Sequence, residues 1–149
     1  MKTIIVKAEN EFYRNQCKMI AKNNNEDLNI FNMPSHFVVA VEDEKVLGYA
    51  SIKPNALGNK DLTVCDFQID KKHLHKGVEK SILEKIKRHS KGFSVIIIHT
   101  LNMTSQKIKT FLENGFYKSI AYGVVKYKYL TNFIEDKQDF LVEENQLGE

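Results

Sequence analysis

The chain has 149 residues and a mass of 17.2 kDa, the scale of a single domain. Its 42% hydrophobic content supports a real core, its 28% charged content is ordinary for a soluble protein, and no apolar run approaches the roughly 18 residues of a membrane span. A net charge of +3 is too small to argue for nucleic acid, and the two cysteines, Cys17 and Cys65, lie far apart without ligand spacing, which argues against a zinc site or a disulfide framework. Glu9 and Glu11 come too early for a secretory leader, so the expected setting is cytoplasmic.

Charge is distributed unevenly. Residues 131–149 hold six acids and one lysine, net −5, against +8 for the remainder. A basic body with an acidic tail suits an anionic ligand or a tail folded back on the body, and equally an uneven solvated surface.

In chain order, residues 3–8 (TIIVKA) form a short β-type run. Residues 9–22 place Phe12, Tyr13, Gln16, Met19 and Ile20 near one face of an amphipathic helix. Asn23-Asn24-Asn25 breaks it, and residues 26–35 are irregular up to Pro34. HFVVAVE and KVLGYASIK, separated only by Asp43-Glu44, predict an antiparallel hairpin, with Gly48 marking a bulge. Residues 54–60 are a loop. FSVIIIHT, residues 93–100, is apolar enough for a central strand covered on both faces. Thr104 or Ser105 caps a helix running to about Glu113, which buries Ile108, Phe111 and Leu112 and stops at Asn114-Gly115. Residues 116–130 are β again, with Gly123 at a bend. Phe133, Ile134, Lys137, Phe140 and Leu141 share a stripe that allows a short docked helix in the tail, residues 131–149, which follows a single domain over residues 1–130.

The informative stretch is residues 62–89: an alternating β run (LTVCDFQID), a basic turn with one glycine (KKHLHKGVEK), and Val78, Ile82, Leu83 and Ile86 at helical spacing. The first N–H groups of a helix have no intrahelical partner and sit at the positive end of the macrodipole, so such a turn is ready to hold an anion. Lys71, Lys72, Lys76 and Lys80 surround it. The expected ligand is phosphorylated.

The whole order, β-α-break-β-β-β-α-β-α-β-β, resembles the GCN5-related N-acetyltransferases, the GNAT family, over about residues 2–130. Leu74-His75-Lys76-Gly77-Val78-Glu79 stands where the family has Gln/Arg-x-x-Gly-x-Gly/Ala, and only Gly77 matches. Asn114-Gly115-Phe116 is similar to the family's helix ending in Gly-Phe, and VVKYKYL to its closing strand. The resemblance implies a mixed α/β (α+β) fold with a central, partly splayed sheet of six to seven strands flanked by helices. It also implies acetyl-CoA as cosubstrate, an amine acceptor, no metal, and a homodimer among the available arrangements. Cofactor contacts carry over to Phe67, Gln68 and Ile69 on the fourth strand, to Leu74, His75, Lys76, Gly77, Val78, Glu79 and Lys80 in the turn, and to Asn102 past the apolar strand. Backbone amides around residues 67–69 become the donors to the thioester oxygen, and the pantetheine arm pairs with that strand.

Departures from the family pattern are as specific as the matches. Leu74 replaces Gln or Arg, and Glu79 replaces Gly or Ala. Phe111 stands where many members carry the tyrosine that protonates the leaving thiolate. Glu79 in a helix's first turn reads as a dipole residue facing solvent. Asp66, with Asp61 as a second choice, is the candidate base, and Tyr122, with Tyr117, is the candidate acid; a satisfied strand-end carboxylate and packing tyrosines are the plainer readings. Two functions follow: N-acetyl transfer by direct attack, or a catalytically degenerate module of the same fold that binds an acyl-CoA or a protein partner without turnover. Nucleic acid and membrane are not expected partners.

Overall fold

A computed structural model describes residues 1–54, 61–74, 76–90, 93, 95–99 and 104–131. The expected elements appear in the expected order. They are β1 (Lys2–Lys7), α1 (Glu11–Asn23), a 3-10 turn (Leu28–Asn32), β2 (His36–Glu42), β3 (Lys45–Pro54) and β4 (Asp61–Ile69). A second 3-10 turn (Lys71–His73) precedes α2 (Val78–His89), β5 (Val95–His99), α3 (Ser105–Glu113), β6 (Tyr117–Ala121) and β7 (Val124–Leu130). The predicted tail helix and the loop at 55–60 lie outside the described residues.

Seven strands form one mixed sheet in the order β1-β2-β3-β4-β5-β7-β6. Only β4 and β5 run parallel; the other five pairings are antiparallel. The VIII run of residues 95–98 is central, as its apolar content predicts, and Ile96, Ile97 and Ile98 are buried. Helices cover the sheet on both faces. Val78, Ile82, Leu83 and Ile86 of α2 are fully buried against Val38, Ala50, Leu62 and Phe67, with Phe111 of α3 in the same cluster. Each such side chain contributes about 1.5–3 kcal/mol of transfer free energy. On the other face α1 lays Cys17, Ile20 and Ala21 on Phe37, Val39 and Tyr49.

The buried stripe of α1 differs from the predicted one. Phe12 and Met19 are 54% and 57% exposed, while Cys17 and Ala21 are sealed. The pleated floor beneath α1 is already crowded by Phe31, Phe37 and Tyr49, whose ring centroids lie 5.6–6.0 Å apart. Small residues fit over those rings, and the larger ones turn outward.

Two irregularities bend the central hairpin. Register slips between Ala40 and Val41, so that Leu47 is the extra residue opposite β2, and again between Ser51 and Ile52, so that Cys65 is extra on β4. The first sits beside Gly48, not on it. Gly48 is small for another reason: a Cβ there would lie 2.6 Å from Ile69 Cδ1, 3.0 Å from Val78 Cγ1 and 3.2 Å from the Gln68 carbonyl. Its missing side chain lets β4 and the start of α2 close over β3.

Candidate active site

The sheet divides at β4. Four parallel rungs, from Asp61↔Val95 to Val64↔Ile98, join β4 to β5. Beyond Val64 the rest of β4 has no ladder to β5 among the described residues. The Asp70 N–H donates to the Leu47 carbonyl at 2.9 Å, which points even-numbered backbone groups at β3. By strand alternation Phe67 and Ile69 turn theirs into the gap. The Phe67 N–H is taken by Asp66 Oδ1 at 2.9 Å, and the Ile69 carbonyl by Asn24 Nδ2 at 3.0 Å. The Ile69 N–H and the Phe67 carbonyl have no partner among the described residues. The expected donor span of residues 67–69 thus narrows to the Ile69 amide.

A cleft of about 290 Å³ opens on this edge, lined by Asn24, Glu26, Phe67, Gln68, Ile69, Lys71, Leu74, Glu79, Thr104, Gln106, Lys107 and Thr110. One wall is β4 and the turn after it. The opposite wall is the first two turns of α3, and the corner after α1 closes one end.

The start of α2 stands at the Leu74–Glu79 end of this cleft. Asn10 Oδ1 caps α1 by accepting from the Tyr13 N–H at 3.3 Å, and Thr104 Oγ1 caps α3 by accepting from the Lys107 N–H at 3.2 Å. α2 differs: Gly77 precedes it in the left-handed region (φ +80°) and supplies no side-chain cap. The N–H groups of Val78, Glu79 and Lys80 have no acceptor among the described residues; the first bond is Ser81 N–H to the Gly77 carbonyl, at 3.1 Å. Val78 itself is core, so only its amide is available. Leu74 is 44% exposed at the mouth, and Lys76 and Lys80 are exposed beside it.

Glu79 departs from its expected orientation. It lines the cleft, half-buried, and its Oε1 is sealed from solvent without a hydrogen-bond partner. A carboxylate in that position gains from the helix dipole and faces inward. His75 and Asn102 lie outside the described residues. His73 pairs with Asp70, Nδ1 to Oδ2 at 3.5 Å.

Asp66 lies behind the cleft wall, on the α1 face of the sheet. Its oxygens accept from the Tyr49 hydroxyl at 2.7 Å, Gln68 Nε2 at 2.9 Å and the Phe67 N–H. Gln68 Oε1 in turn accepts from Asn24 Nδ2 at 3.1 Å. Burial, reinforced by the Asp66 charge, pushes the Tyr49 hydroxyl far above its ordinary pKa. It acts on the Cys17 thiol in the same direction, and holds the Cys65 thiol at about 11, so neither sulfur is a nucleophile at neutral pH. Both Asp66 oxygens are engaged in positioning Gln68 and the β4 backbone. Asp61 stands at the opposite end of β4, paired with Val95. Tyr122 occupies the β6–β7 turn with φ +52°, fully exposed and outside the cleft lining, and Tyr117 lies on the same edge hairpin. Phe111 is 0% exposed, its ring packed on Phe67, Phe116 and Tyr127.

Six lining residues are not among the site residues expected from sequence: Asn24, Glu26, Thr104, Gln106, Lys107 and Thr110. Asn24 and Glu26 belong to the break after α1, whose three asparagines signal a stop but not a direction. Lys107 sits on the inner face of α3, one turn after the Thr104 cap. It is half-buried; burial lowers its pKa, and the charges of Asp66 and Glu26 oppose that fall. Among the described residues its Nζ has no hydrogen-bond or ion-pair partner, and no group of three or more His, Cys, Asp or Glu gathers that could hold a metal. Nor is any helix among them long and apolar enough to cross a membrane.

The sequence matches the profile of the acetyltransferase (GNAT) family over residues 4–116, and the chain belongs to that family. No curated protein matches it. Among solved structures it is similar to the Tetrahymena GCN5 protein, with 12% identity, TM-score 0.69, and 87% of this chain and 96% of that one covered. It is similar to a GNAT-family acetyltransferase of Staphylococcus aureus Mu50, with 16% identity, TM-score 0.67, and 86% and 98% covered. The PaiA N-acetyltransferase of Thermoplasma acidophilum, solved with coenzyme A, matches with 15% identity, TM-score 0.61, and 87% and 99% covered. At such identities the likeness is one of fold.

Proposed function

We propose that the protein transfers an acetyl group from acetyl-CoA to a primary amine by direct attack. The observation that carries this reading is the edge of β4, where one amide and one carbonyl have no partner among the described residues, beside a cleft that ends at a helix start without a side-chain cap. The Val78, Glu79 and Lys80 amides would hold the diphosphate, with Lys76 and Lys80 adding charge. The pantetheine arm would run along β4 as an added strand, meeting the Phe67 carbonyl. The Ile69 N–H would face the thioester oxygen, where negative charge grows as the amine attacks. The coenzyme A bound to the Thermoplasma relative supports the same choice of donor. An acyl-CoA donor and two free cysteines fit a cytoplasmic reaction.

Calorimetric titration with acetyl-CoA tests the donor, and thiol release over a panel of amines tests turnover. Binding accompanied by amine-dependent thiol release is expected. No heat and no thermal shift would sink the reading.

One set of observations favours a second reading, a donor-binding module without turnover. Phe111 is sealed in the core, Tyr122 lies outside the cleft lining, and Asp66 is fully engaged, so none of these three positions offers a free acid or base at the thioester. Binding with no thiol released across the panel would decide for it.

A further inference from the structure

We infer that Lys107 is itself an acyl acceptor: its amine, inside the donor cleft, takes the acyl group from a bound acyl thioester. This inference rests on the donor reading above. Three features of the structure carry it. Lys107 lines the same cleft as Phe67, Ile69 and Glu79, across from the open edge of β4. Its Nζ has no partner among the described residues that would hold it away from an electrophile. It shares the cleft lining with Asn24, Glu26 and Gln68, and the charges of Asp66 and Glu26 act on it. Burial also favours its neutral form, the form that attacks.

The step balances without a further reagent. The ammonium gives a proton to the Glu26 carboxylate in the same cleft lining, and the freed lone pair forms a C–N bond to the thioester carbonyl carbon. The C–S bond breaks, and the thiolate takes the second nitrogen proton. The products are an N-acyl-lysine, the free thiol and one proton returned to water from Glu26. Acylation removes the cation that faces Asp66 and Glu26 and lengthens a side chain already in the cleft. The modified protein therefore binds the donor more weakly, and the reaction limits itself.

The test incubates the full chain with acetyl-CoA, follows each lysine by peptide mass mapping, and titrates coenzyme A into the same protein by calorimetry. Lys107 is expected to be acetylated at least about tenfold faster than exposed Lys2, Lys22 and Lys118, which lie outside the cleft, because residence in the cleft raises the effective donor concentration. Excess coenzyme A should slow Lys107 and leave the reference lysines unaffected, and Lys107→Arg should lose the fast modification. Coenzyme A binding with Lys107 modified no faster than the surface lysines overturns this inference and leaves the donor reading standing. No coenzyme A binding overturns both.

Discussion

Gly77 joins the β4 turn to α2 with a backbone that side chains avoid. A Cβ there would meet nothing within 4 Å among the described residues, so the constraint they impose is conformational and not one of space. Gly77→Val should therefore cost about 1–2 kcal/mol through its φ of +80° and turn the first α2 amides out of line, weakening coenzyme A binding. Gly77→Asn, which tolerates that region, should lose much less of both; equal losses in urea melts and calorimetry would show that the angle is not what matters. Lys107 makes a second prediction at this scale. Its folded pKa lies below the ordinary 10.5, so the native state resists its charge. That penalty is fully present below the folded pKa and fades as pH rises to the unfolded value. Lys107→Met should be more stable than the parent at neutral pH, and the difference should shrink as pH rises toward 10.5 and vanish above it. Paired thermal melts across that range check the sign.

Among the elements, the β3–β4–α2 corner is the tightest. Gly48→Ala forces a methyl against Ile69, Val78 and the Gln68 carbonyl, an overpacking cost of about 1–3 kcal/mol. The displaced Ile69 carries the free amide, so the variant should lose donor affinity as well as melting temperature. Asp66 is the matching polar test. Asp66→Ala leaves the Tyr49 hydroxyl, the Gln68 amide and the Phe67 N–H without their acceptor, at about 1–3 kcal/mol for each group that stays buried. A stability loss with thiol release falling in proportion to folded protein marks a positioning residue. Full stability with turnover abolished would mark a base instead. Elements were legible wherever period and punctuation agreed. The 3.6-residue spacing of Val78, Ile82, Leu83 and Ile86 gave α2, Thr104 and Asn114-Gly115 bracketed α3, and Asp43-Glu44 closed a hairpin. Facing was harder. Phe12 and Met19 point outward because an aromatic floor from β2, β3 and the 3-10 turn leaves room only for Cys17 and Ala21, and no local pattern reports the floor.

Across the whole molecule the strand order and the divided sheet follow the pattern read from residues 62–89 and the closing VVKYKYL. The backbone parts of the site were legible because they depend on where a strand and a helix end. The side-chain parts were not. Asn24, Glu26 and Lys107 come from three separate stretches and meet only through the topology, while Tyr122, a fair acid on chemistry alone, is carried to an outer hairpin by the β5-β7-β6 order. Glu79 reads as a surface residue until the α3 wall turns that side of α2 inward.

The four rungs between Asp61–Val64 and Val95–Ile98 have one more consequence. They are the only hydrogen-bonded rungs between the two halves of the sheet among the described residues, which predicts a short hinge there. One jaw carries β1 to β4, the other carries β5 to β7. A bound donor spans both jaws as a strut, so coenzyme A should slow amide exchange in β5 and β7, which it need not touch, as well as along β4. Protection confined to β4 and α2 would show that the jaws do not swing.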